Sequence, residues 1–368
     1  MLAAVILSAA VASCGGGDAA APVTTGVGTS SSALPASSTS STELVTTTGA
    51  PTTTAAPTTT AAPTTTAAPT TTVAPTGPLL PLTGTPASDP AIAARAALVV
   101  KIDNAERARP QTGMNAADIV FEEIVNDGYT RFALVFHSQG SDPVGPIRSG
   151  RLQDIDLFGS FNRPLFAWSG GNATVTAAIR ASDLVDIGPS RAAVYFRAND
   201  RRIPHNLYSN TTALWGRTPF GAPPPQPQFS YRSPDEAPLG AASRGVAITL
   251  DSIDVRWDWD ASTGLYRRTM EGQVHEDRAS GQVTTNNVVV LAVGYLPGIS
   301  GSPDAQTIGT GEALVFTGGN YVHGTWSRPD RLTPFTLTAD DGRLIELSPG
   351  RTFVELPRYG EADPLPAA

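Results

Sequence analysis

Pro51-Thr52-Thr53-Thr54-Ala55-Ala56 is repeated from Pro57 and Pro63 and, with Val73 in the fifth place, from Pro69. This period limits the fold more than any other feature of the chain. Six residues that open on proline and hold three β-branched threonines cannot stack into a solenoid, and they favour extended, polyproline-like backbone. At about 3.1 Å per residue the repeats reach roughly 75 Å. Around them the first 80 residues carry only two charged side chains, Asp18 and Glu43, among Thr, Ala, Pro and Ser. Such a stretch buries too little apolar surface to offset its ordering entropy. Residues 15–80 are therefore expected to be a disordered stalk, a plain polar linker whose hydroxyls could accept O-linked sugars. Folding is left to 288 of the 368 residues, enough for one large domain or two modest ones.

Ahead of the stalk, Leu2–Ala12 is apolar apart from Ser8. Eleven residues are too few to span a bilayer and suit the core of a signal peptide. The run ends Val11-Ala12-Ser13-Cys14, which resembles a bacterial lipobox, although no Lys or Arg precedes it. Cys14 is the sole cysteine. The chain thus has no disulfide framework and no Cys-based zinc site, and Cys14 is expected to be lipidated, anchoring the protein outside the cytoplasmic membrane. Net charge is −8, which excludes a nucleic-acid binder as the working reading. Lys101 is the only lysine. Residues 81–240 carry 15 basic and 15 acidic side chains, and residues 241–368 carry 10 and 16. Any anion site must then be a local cluster.

From 81 to 225 the pattern reads as an α/β domain. Ala97–Asp103, Thr130–Ser138, Leu165–Trp168 and Ala192–Phe196 have strand character. A helix is expected from an Asn115 N-cap, with Asp118 at its third position and Ile119, Val120, Phe121, Ile124 and Val125 as its buried face, to a stop at Asp127-Gly128. Ser149–Phe161 and Asn172–Ala181 also fit helices. Alternating strands and helices argue for a layered α/β fold. Pro219–Pro227 reads as a linker. From 240 to 357 short strands dominate: Ala247–Leu250, Val255–Trp257, Tyr266–Val274, Val288–Val293, Ala313–Phe316, Tyr321–Trp326 and Phe335–Thr338. Asp340-Asp341-Gly342 is a hairpin signal. This part is expected to be mainly β, with 358–368 a disordered tail.

Several motifs, in order, resemble the YerB-type bacterial lipoproteins, a family catalogued as a domain of unknown function. They are Val100-Lys101-Ile102-Asp103-Asn104-Ala105, Ala108–Gly113, Ala117–Glu123, Thr130-Arg131-Phe132, Gly145–Arg151, Ser169–Asn172 and Pro204–Tyr208, then Gly324-Thr325-Trp326 and Leu347–Gly350. The likeness spans most of 80–357, with Gly150 where many relatives have a small residue such as Ala. It implies a surface lipoprotein with two adjoining domains, and no reaction or catalytic residue.

The strongest polar constellation is in the first region. Arg148 and Arg151, three apart, with Asp154 three further on, would share one face of a helix and allow an Arg151–Asp154 pair. Arg131, His205 and Asn206, and the acids Asp103, Glu122 and Glu123, could meet them, with Arg109, Lys101 and Arg202 near by. Arginine forks bind phosphate or carboxylate, so the cluster is an anion pocket or a structural ion-pair network. Ser169-Gly170-Gly171-Asn172 fits a tight turn capped by Asn172 and lacks the first glycine of a nucleophile elbow. No Walker, GxGxxG or HExxH motif occurs, and neither metal nor cofactor is implied. Trp257, Trp259, Tyr321 and Trp326 could line a sugar face, though strand aromatics more often form core. Two functions follow: an envelope lipoprotein binding a wall polymer, lipid-linked precursor or protein, or an envelope hydrolase or transferase using the Arg/Glu/His groups.

Overall fold

The computed structural model describes residues 77–126 and 128–367. The expectations for the signal segment, Cys14 and the Thr/Pro repeats lie outside them. The described chain has a mixed α/β first part and a mostly β second part, and both contribute to one 16-stranded sheet. Its first-part strands are β1 (Leu98–Asp103), β2 (Ile119–Ile124), β3 (Thr130–Phe136), β4 (Leu165–Ala167) and β5 (Val185–Asp186). The second part supplies β6 (Ala241–Leu250), β7 (Ile253–Asp260), β8 (Leu265–Met270), β9 (Asn287–Leu291), β10 (Gly309–Thr317) and β11 (Asn320–Arg328). It continues with β12 (Thr336–Ala339), β13 (Thr352–Leu356) and β14 (Ala362–Pro366). The order runs β8-β7-β6-β11-β10-β9-β13-β2-β3-β1-β4-β5, with the short strands Gln273–Val274 and Thr284–Thr285 both paired to β8, β12 to β11 and β14 to β6.

The join between the two parts is β13, which pairs in parallel with β2 on one side and β9 on the other. Because β3 is antiparallel to both β1 and β2, the strands β4, β1, β2, β13 and β9 all point the same way. Their carboxyl ends, near Trp168, Asp103, Asn126, Pro357 and Ala292, share one edge of the sheet. Residues alternate between two cores. Leu98, Val100, Val120, Leu134, Val290 and Phe353 face one; Val99, Phe121, Val135, Val289 and Val354 face the other. Sheets buried on both faces read as nearly continuous apolar runs. The first core is closed by β6–β8, which curl over the sheet until the Trp257 ring lies 4.9 Å from Phe353. The second is closed by Leu157, Phe158, Phe161, Val175 and Ile179, among others.

Several local expectations change. The helix expected from Asn115 is a 3-10 turn, Met114–Ala116, followed by the strand β2. Ile119-Val120-Phe121 is β-branched and aromatic, and β3 and β13 offer backbone partners on both sides. Asp118 does not cap a helix. Its carboxylate accepts from the backbone N–H groups of His137 and Ser138. Ser149–Phe161 is helical only at Gln153–Leu157, with a 3-10 turn at Gly159–Phe161. Arg148 and Arg151 therefore precede the helix and share no helical face with Asp154. Asp154 Oδ2 accepts from the Arg151 backbone N–H at 2.6 Å instead of pairing with its guanidinium. Residues 358–368, expected as a disordered tail, supply β14 paired with β6, which satisfies an otherwise open edge. Residues 77–80, assigned to the stalk, form a turn in which Leu80 and Thr85 bond and Leu80 is buried. The helix Ala173–Ala181 forms as read, with Asn172 Oδ1 accepting from Val175 N–H.

Candidate functional site

A cleft of about 1150 Å³ opens at the carboxyl edge, the side on which open α/β sheets place their ligands. The first part contributes Asp103, Arg109, Arg131, Arg148 and His205; the second contributes Ser252, Met270, Glu271, His275 and Glu276. Asp103 ends β1 and Arg131 is the second residue of β3, so they are cross-strand partners, and Arg131 in turn pairs with Glu123 of β2. Arg148 follows the Gly145-Pro146 turn, and its backbone N–H bonds the Lys101 carbonyl at the end of β1. His205 arrives on the loop between the hairpin strands Tyr195–Arg197 and Leu207–Ser209.

These groups converge on one carboxylate. His205 Nδ1 lies 2.8 Å from Asp103 Oδ2, and Arg148 Nε lies 3.4 Å from the same oxygen. Arg148 makes no hydrogen bond through its terminal nitrogens to the described residues, and its side chain is 27 % exposed. Arg131 donates to the Ser149 carbonyl at 2.8 Å. Burial, reinforced by Arg151 and Arg148, lowers its pKa to about 9, a sign of crowded positive charge.

Arg151 stands behind this wall. It donates to Ser302 Oγ, the Gly150 carbonyl and Asn126 Oδ1 at 2.9, 3.0 and 2.7 Å, tying the two parts of the chain together. It borders two smaller hollows instead of the main cleft. One of them, of about 730 Å³, also has Arg148, Ser169, Gly170 and Gly171 in its wall, so Arg148 separates two basins. Gly170 has a φ of +103° with open space where a side chain would stand, which keeps that basin clear.

The remaining candidates are elsewhere. Asn206 is buried, donating to the carbonyls of Ala198 and Arg201 and accepting from Arg197; it braces the His205 loop. Lys101 is fully buried between Glu123 and Asp154, beneath the cleft wall. Glu122 points to the opposite face, where sequence reasoning saw no cluster. There Arg268 of β8 bonds Glu122, and its Nε lies 3.6 Å from Glu355 of β13. Arg268 also donates to His275 Nδ1 at 2.6 Å, and His275 Nε2 bonds Gln111 Oε1 at 2.9 Å. Gln111 donates to Asn104 Oδ1, and Asn104 donates to Glu122. The bonds close a ring. Burial and the charges of Arg268 and Arg109 hold His275 well below the usual histidine range. A neutral ring that accepts at Nδ1 fits that state. No signal in the sequence foretold it, because its members come from five separate segments. Trp257 and Trp326 are core residues, not an exposed sugar platform. Among the described residues no His/Cys/Asp/Glu group could hold a metal.

A curled mixed sheet, built from two stretches of chain and opening at its carboxyl edge on an arginine-lined cleft, defines the class of this protein. The chain belongs to the family described as "Protein of unknown function (DUF3048)", matching its N-terminal domain over residues 82–220 and its C-terminal domain over 246–354. It is 26 % identical over 295 residues, 75 % of this chain and 85 % of the other, to the Bacillus subtilis (strain 168) protein described as "Putative lipoprotein YerB". A crystal structure of YerB protein from Bacillus subtilis matches with a TM-score of 0.69 at 22 % identity, over 77 % of this chain and 98 % of that one. That match establishes the shared fold.

Proposed function

We propose that this chain is an extracytoplasmic lipoprotein, held at the membrane by lipidated Cys14, whose carboxyl-edge cleft binds an anionic glycan of the cell envelope, free or lipid-linked. Val11-Ala12-Ser13-Cys14 and the likeness to a protein described as a lipoprotein support the anchor. One observation carries the binding reading: Arg148 shares Asp103 with His205, stands in the cleft wall, and has no described partner for its terminal nitrogens. A carboxylate or phosphate group would supply the acceptors that the protein does not. The cleft exceeds the usual volume for a small metabolite, which suits a segment of polymer.

The test is titration of Arg148→Ala with anionic wall-glycan fragments beside a thermal melt. Hydrogen bonds to charged groups contribute about 1.5–3 kcal/mol, so affinity falls roughly ten- to a hundredfold while folding is kept. A large loss of stability with no ligand found overturns the site. For the anchor, Cys14→Ser releases the protein from the membrane fraction or leaves the signal segment uncleaved. Full retention with a processed N-terminus contradicts it.

A further inference from the structure

We propose that Asp103 and His205 form a general base that hydrolyses a phosphodiester held by Arg148 and Arg131. The proposal rests on the reading of the cleft as an anion site and adds a reaction to it. The geometry is that of an oriented base. With His205 Nδ1 2.8 Å from Asp103 Oδ2, the proton on Nδ1 is donated to the carboxylate, and the Nε2 lone pair is left without a partner among the described residues. The ring stands in the cleft wall, so Nε2 can accept a proton from a molecule bound there. Arg148 Nε is 3.4 Å from the same carboxylate oxygen, so the guanidinium that would hold a phosphoryl group and the imidazole that would activate water are neighbours in one cleft wall.

The loop is built to hold that position. Asn206 bonds across it to Ala198 and Arg201. Arg201 reaches over to the carbonyls of Ala108 and Pro110, fixing the loop to the opposite rim. Positioning of this kind is what a base needs and what a plain electrostatic contact does not.

Phosphorus is a better centre than an acyl carbon. Ser149 and Ser169 lie 3.4 Å from each other, bordering the second basin on the far side of Arg148; neither has a bond to His205. Water is therefore the nucleophile. Guanidinium groups match the equatorial oxygens of a phosphoryl transition state. In the step, His205 Nε2 takes a proton from water and the oxygen forms a bond to phosphorus. The bond from phosphorus to the leaving alcohol breaks, and the alkoxide takes a proton from solvent. His205 then returns its proton to solvent. Water is the only co-reactant, and the products are a phosphomonoester and an alcohol.

The test uses the full chain with bis(para-nitrophenyl) phosphate as substrate, and binding of inorganic phosphate measured in parallel. Wild type is expected to release nitrophenolate above buffer in the presence of EDTA. His205→Gln lowers the rate by about a hundredfold or more with phosphate affinity and melting temperature kept. His205→Gly regains rate on addition of imidazole. Arg148→Ala loses both binding and turnover. Phosphate binding without turnover, turnover abolished by EDTA, or an unchanged rate in His205→Gln overturns the general base and leaves the anion site standing. Absence of both phosphate binding and turnover in wild type overturns the anion site with it.

Discussion

The two sides of the Glu122–Glu123 strand end hold similar chemistry put to different use. On one side Arg268, Glu122, His275, Gln111 and Asn104 bond in a ring, and Trp257 Nε1 adds a bond to Glu355 at 2.8 Å. Arg268, Glu122 and Glu355 are wholly buried. On the other, one acid, Asp103, serves both Arg148 and His205, which stand in the wall of a cleft with the Arg148 terminal nitrogens and His205 Nε2 unpartnered among the described residues. A closed network, buried and bonded among its own members, fixes how β8, β2 and β13 pack. An open one, sharing a single acid between a guanidinium and an imidazole, leaves polar atoms that no described residue satisfies. Residue type does not separate the two cases; the count of unsatisfied atoms facing solvent does.

The comparison breaks most visibly at Arg268. Arg268→Ala strands Glu122 in a dry interior and should cost roughly 3–5 kcal/mol of stability, read as a large drop in the thermal or denaturant midpoint. At Arg148, whose side chain is partly exposed, the alanine variant should change stability by less than about 1 kcal/mol while anion affinity falls. If both variants melt together, the open cluster is as structural as the closed one. If Arg268→Ala melts like wild type, the ring is not what fixes β8 against β2.

Much of the open side was legible. Asp103, Arg131, Arg148 and His205 stand at strand ends or in loops, where polar residues among apolar strands mark a sheet edge, and the structure gathers them. Asn172 as a helix cap and the Asp340-Asp341-Gly342 turn, where Gly342 N–H bonds the Ala339 carbonyl, needed only local chemistry. The closed side was not legible, for a physical reason. Whether Ile119–Ile124 is helix or strand depends on β13, whose partner residues lie more than 200 positions away. Without that pairing, the spacing of Ile119, Val120, Phe121 and Ile124 fits a helical face equally well. Glu122 and Glu123 then read as acids that could meet the same arginine cluster, and not as buried acids on opposite faces. The same long-range pairing sets Glu122 directly beside Glu355, an arrangement no local pattern encodes.

That juxtaposition yields the smallest and sharpest test. Among the described residues Arg268 is the one cation in ion-pair range of both Glu122 and Glu355, so the two carboxyls compete for it. Burial and the neighbouring Glu122 charge push the Glu355 carboxyl well above the usual carboxylate range; it keeps its proton where free glutamate has lost it. Glu355→Gln is close to an isosteric copy of that protonated state, and its side-chain oxygen can still accept from Trp257. The substitution should cost less than about 1.5 kcal/mol near neutral pH, far below Arg268→Ala. The sign with pH is fixed by linkage. In the unfolded chain Glu355 releases its proton near about 4.3, and in the fold it does so at higher pH. The folded state binds the extra proton between those two values. The stability this carboxyl contributes is complete below the unfolded value and is lost as pH rises through the folded one. Wild type should therefore lose ground to Glu355→Gln as pH climbs above about 4.3, in chemical denaturation run at a series of pH values. A difference that grows in favour of wild type over that range would mean Glu355 is ionised in the fold and that Arg268 pairs with two charges.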